Sequence, residues 1–124
     1  MLSNKKLVAT MALGLSLTLS ACGTKTDDAI KTGSDDMIKT ISELKTQISN
    51  NDEAKAKDSG EALEKSWEKF EDSVKDKDKA LYEKVETPLH IIEAGVKVSP
   101  LNADTLNQAG DELEGVLKEV KDLK

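Results

Sequence analysis

The 124-residue sequence contains no arginine. Arginine carries the planar fork favoured for phosphate contacts, so an acidic chain without it argues against nucleic acid as a partner. Aromatic residues are nearly missing: Trp67, Phe70 and Tyr82 are the whole set. The prolines are Pro88 and Pro100 only, and the single cysteine is Cys22. One thiol cannot close a disulfide within the chain, so the fold must stand on packing. His90 is the only histidine, which excludes paired-histidine metal motifs. No Gly-rich phosphate loop, nucleophile elbow or marked Ser/His/Asp arrangement is present. The sequence reads as a non-enzyme that acts by binding.

What is present is charge and helix-forming composition. Charged residues make up 34% of the chain, and 24 acids outnumber the lysines to give a net charge of -6. Lys, Glu, Leu and Ala favour helix, whereas β-branched and aromatic strand formers are few. Acidic surfaces suit hard cations and do not dock electrostatically on anionic lipid. A high charged fraction also suits disorder, but the regular apolar spacing after residue 34 argues for a packed core.

The N-terminal stretch has its own logic. Lys5 and Lys6 precede an apolar run from Leu7 to Leu19, of signal-peptide length and too short to span a bilayer. The run ends in Leu19-Ser20-Ala21-Cys22, which resembles a bacterial lipoprotein lipobox. That resemblance implies cleavage between Ala21 and Cys22 and lipidation of the Cys22 sulfur. Buried acyl chains contribute about 0.8 kcal/mol per CH2, so two or three would anchor the protein firmly. The expected organisation is a cleaved signal peptide (1–21), a lipidated Cys22 with a flexible tether (22–33), and a helical domain (34–124). The expected address is the extracytoplasmic face of the cell membrane. Losing Lys5 and Lys6 with the leader makes the net charge more negative by two.

Four helices are predicted in the domain. The first has Ser34 as N-cap, with Thr32-Gly33-Ser34 interrupting or starting it, and a stripe of Met37, Ile41, Leu44 and Ile48. Asn50-Asn51-Asp52 closes it. The second runs from Glu53 to Lys75 with Ala56, Gly60, Leu63, Trp67, Phe70 and Val74 in a 4-3 seam. Trp67 and Phe70 read as core anchors. The third takes Lys79 to Lys97, and Pro88 should kink it or end its first half near Glu86. The fourth is capped by Asn102 and lined by Leu106, Ala109, Leu113, Val116, Leu117, Val120 and Leu123. The fold class is all-α, a small four-helix up-and-down bundle.

One constellation stands out as a candidate site. Glu86, His90 and Glu93 are spaced by four and three residues, which puts them on one helical stripe beside the apolar one, with Tyr82 extending it. Glu64, Glu68 and Glu71 repeat the spacing next to Trp67 and Phe70. If the stripes face each other, carboxylates and one imidazole converge as metal sites in bundles require. Such a set suits iron, manganese or zinc better than copper(I). His90 and Glu93 are the first candidate ligands, with Glu86, Glu68 and Glu71 as partners. The bland reading is a solvated acidic face with His90 as a boundary residue bonded to a carboxylate.

Pro88-Leu89-His90-Ile91-Ile92-Glu93 contains H-x-x-E, and the region from Trp67 to Val96 resembles part of the helical extracytoplasmic domains of bacterial iron-uptake systems. In the imelysin-like family H-x-x-E is the proposed metal-binding pair, which would fall on His90 and Glu93. The chain departs from that family in carrying Pro88 where glycine is usual. The resemblance implies a metal-capture lipoprotein that passes iron, or another transition-metal ion, to a membrane transporter. The alternative is a structural or adaptor lipoprotein that docks an envelope protein. A hydrolase of the kind the peptidase name of imelysins suggests lacks a second histidine or an activating pair.

Overall fold

The structure, a computed structural model, describes residues 19–124, with side chains from Lys25 onward. The proposed signal peptide therefore lies almost wholly outside the described residues, as does the Cys22 side chain. Those residues form five helices and no strand: α1 (Leu19–Ser49), α2 (Glu53–Glu68), α3 (Glu71–Lys77), α4 (Lys79–Gly95) and α5 (Ala103–Lys121). None of them is long and apolar enough to cross a membrane.

Apolar residues at helical spacing explain the packing. Met37, Ile41 and Leu44 of α1, Leu63 and Trp67 of α2, Leu89 and Ile92 of α4, and Leu113 and Leu117 of α5 are fully buried. α1 lies against α2 and α5, and α4 lies against α5 and against both α2 and α3. The stripes anticipated on each helix are the ones buried, with Ile38, Val116 and Leu123 half-buried at the margins.

The helix ends follow local chemistry. Asn51 adopts φ 57°, the left-handed conformation that asparagine tolerates better than most residues. It ends α1 in a Schellman arrangement: Asp52 N–H donates to the Gln47 carbonyl (2.9 Å) and Asn51 N–H to that of Ile48 (3.0 Å). The Asp52 carboxylate then accepts from Lys55 N–H and caps α2. Asp78 caps α4 through Leu81 N–H, and Asn102 caps α5 through Thr105 N–H, the latter as its sequence position predicts.

Three expectations need correction. First, residues 25–33 are not a flexible tether, and Ser34 is not an N-cap. α1 runs straight through Thr32-Gly33-Ser34, burying Ile30 and Ser34 completely. Phe70 packs directly on Gly33, leaving no room for a side chain: a Cβ there would clash with the ring. Tertiary burial overrides the weak local propensity of that triplet. Second, the helix expected over 53–75 is broken. Lys69 and Phe70 turn with bonds to the Ser66 and Trp67 carbonyls, and α3 begins anew at Glu71. The break seats Phe70 edge-on to Trp67, with centroids 5.1 Å apart and planes at 85°, while it covers Gly33. Third, Pro88 does not end a helix near Glu86. It is buried within α4, which continues to Gly95. The missing N–H costs the Lys84 carbonyl its usual partner, and the flanking turns persist because Val85, Leu89 and Ile92 remain in the core.

Candidate functional site

The acidic face where α4 meets α2 and α3 is built outward from Trp67. The indole ring is fully buried, so its N–H needs an acceptor, and Glu86 supplies one: Trp67 Nε1 donates to Glu86 Oε1 at 2.8 Å. The other oxygen of Glu86 lies 3.0 Å from His90 Nε2, one helical turn further on. Glu86 thus links the core to a histidine whose side chain is 64% exposed. Tyr82, one turn earlier, stacks on Trp67 with centroids 5.8 Å apart, and Lys75 Nζ stands 5.2 Å from its ring centre.

Glu93 and Glu64 form the second part of the face. Glu93 Oε2 is 4.0 Å from His90 Nε2, beyond hydrogen-bond length. Across the helix pair, the Glu64 carboxyl meets that of Glu93. Glu64 Oε2 is closed off from solvent and receives no N–H or protein hydroxyl. Two carboxylates so placed repel unless a proton lies between them. The hydrogen bond to Glu93 is the main reason the Glu64 carboxyl is pushed up to about 7, with burial and the nearby charges of Glu93 and Glu86 adding to it and His90 opposing it. Burial, then Glu86, also raises Glu71 above the ordinary carboxylate range. The Tyr82 hydroxyl is raised by burial and by Glu86.

Of the candidate ligands, Glu86, His90 and Glu93 do share one stripe, and Glu86 touches His90. Glu71 faces the same region from α3, not from a continuous second helix. Glu68 does not join them: it is exposed and lines a groove with Glu64 and Glu93. The member that takes its place is Glu64, four residues earlier on the same stripe. Among the described residues no three His, Cys, Asp or Glu side chains are arranged to hold a metal ion. Both oxygens of Glu86 are already engaged, one by the Trp67 indole and the other by His90. The Trp67–Glu86 bond was missed on the sequence; its only signal was that a core tryptophan needs an acceptor.

Comparison with protein-family models, with curated proteins and with solved structures gives no match for this chain.

Proposed function

We propose that this protein is a lipid-anchored, extracytoplasmic helical binding protein, and that its ligand is positively charged. The lipid anchor rests on the lipobox at Leu19–Cys22. The binding reading rests on one observation: Glu64, Glu71, Glu86 and Glu93 crowd one face strongly enough to hold a proton on Glu64 near neutrality. A cation would relieve that crowding. The fold we infer for the domain is an up-and-down four-helix bundle whose second helix is divided into α2 and α3, supported by the cyclic order of neighbours α1, α2–α3, α4, α5.

The sharper version is capture of a transition-metal ion, iron first, for delivery to a membrane transporter. His90 and Glu93 would be its first ligands, joined by Glu86. Binding would require Glu86 to release His90 and Glu93 to turn from Glu64, so affinity depends on a rearrangement. Thermal unfolding with and without Fe, Mn, Zn, Cu and Ca tests it, since a ligand specific to the folded state raises stability. An upward shift with one transition metal, lost in His90→Ala, supports capture; no shift with any metal sinks it.

A specific observation favours a second reading. The Trp67–Glu86–His90 chain engages both oxygens of Glu86 with protein partners, and Ile91 beside it is 39% exposed. An adaptor lipoprotein that docks an envelope protein needs nothing more. In either reading Cys22→Ala should move the protein from the membrane fraction to the soluble one.

A further inference from the structure

A groove of about 270 Å³ runs between α2 and the C-terminal end of α4, beside the face just described. Its floor is apolar. Gly60 and Val96 meet there so closely that a Cβ on Gly60 would stand 2.7 Å from Val96 Cγ2. Its walls carry Glu61, Glu64 and Glu68 on one side and Glu93 on the other. Lys65 and Lys97 also line it without forming an ion pair within the described residues, so the groove's four acids outnumber its two lysines. At the groove wall, Glu64 Oε2 is sealed from water and has no donor.

We propose that this groove takes an arginine side chain from a partner protein, its aliphatic stem lying on Gly60 and Val96 and its guanidinium bridging Glu64 and Glu93. The inference deepens the binding-protein reading and rests on it. Three observations select the occupant. An amphipathic stem with a charged head fits an apolar floor between acidic walls. A planar fork with several N–H donors can serve two carboxyls at once, and a guanidinium is less strongly hydrated than the ammonium of lysine, so it enters an apolar groove at lower cost. A metal ion would need three converging ligands, whereas the fork needs only two carboxyls, and Glu64 and Glu93 line the groove from its two sides. The chain has no arginine, so a second copy of itself cannot provide the group.

The test uses the full-length lipoprotein, 15N-labelled, in detergent micelles, titrated with the tripeptide amide acetyl-Gly-Arg-Gly. The same peptide with citrulline in place of arginine keeps the shape and removes the charge. Saturable shifts of the Gly60, Glu64 and Val96 amides with the arginine peptide are expected, with citrulline binding at least about tenfold more weakly, the ratio that follows from losing one charged hydrogen bond. Glu64→Gln and Glu93→Gln should each weaken binding by a similar factor, while Glu119→Gln on α5, which changes charge equally, should not. Absence of shifts at Gly60 and Val96, or equal binding of citrulline, overturns the proposal. Adding the metals to the same sample separates the two ideas. Metal-induced shifts at Glu86 and His90 without an arginine response would leave the binding reading standing and this inference refuted.

Discussion

Ser34 and Glu86 occupy opposite ends of polar satisfaction. Ser34 is fully buried on α1, and its hydroxyl has no hydrogen-bond partner. Taking a hydroxyl from water without replacing its bonds costs about 1–3 kcal/mol, so Ser34→Ala should stabilise the protein. Near 1 kcal/mol, the melting temperature would rise by about 4–8 °C in a domain of this size, measurable by circular dichroism. A fall would mean that the hydroxyl is satisfied by a group or water not evident in the packing. Glu86 is the reverse, because it satisfies Trp67. Glu86→Ala should cost about 1–3 kcal/mol by leaving the indole N–H buried without an acceptor, while Glu86→Gln should cost less because the amide oxygen still accepts. Chemical denaturation of both variants checks the order. Equal losses would show that the negative charge of Glu86, and not its acceptor role, holds the face together.

At the scale of helices, the sequence was readable wherever local spacing and burial agree. The 4-3 stripes of Met37 to Ile48 and of Leu106 to Val120 are legible because the core selects one face of a helix and nothing else in those segments competes. The cap at Asn102 is legible because cap chemistry is local. The extent of α1 was not, because Gly33 and Ser34 look like a helix start until Phe70, thirty-seven positions on, is known to lie over them. The break after Glu68 was equally hidden, since Trp67, Phe70 and Val74 keep helical spacing across it. The same limit applies to the candidate site. One stripe, Glu86–His90–Glu93, was visible; which acids would meet it depended on how α2 is rotated, and that brought Glu64 in and left Glu68 out. Gly33→Ala tests the corrected element. In a flexible tether the change would be close to neutral, and in an unencumbered helix it would stabilise by about 1 kcal/mol. Against the Phe70 ring it should instead destabilise by about 1–3 kcal/mol through overpacking, and Phe70→Leu in the same chain should recover part of the loss. A neutral result would return residues 25–33 to the tether.

For the molecule as a whole, the acidic face makes stability depend on pH in a definite direction. The Glu64 carboxyl is raised from its ordinary 4.5 to about 7 in the folded protein, where Glu93, Glu86 and His90 face it from α4 and Lys65 and Lys97 share its groove. A raised carboxyl holds a proton that the unfolded chain releases. Between about pH 4.5 and 7 unfolding therefore releases a proton, and stability falls as pH rises through that window. The contribution is complete below the lower value and gone above the upper one. Glu71, also raised, acts with the same sign. The face is partly open to solvent, so screening makes the effect smaller than the shift alone implies. The expected outcome is a higher melting temperature at pH 5 than at pH 8. Glu64→Gln mimics the protonated carboxyl permanently, so it should match the wild type at pH 5, exceed it at pH 8, and show a flatter profile between. If Glu64→Gln followed the wild-type profile at every pH, Glu64 would hold no proton above its ordinary range in the folded protein. The acids would then be separated in solution, and the charge crowding that motivates a cationic ligand would disappear with them.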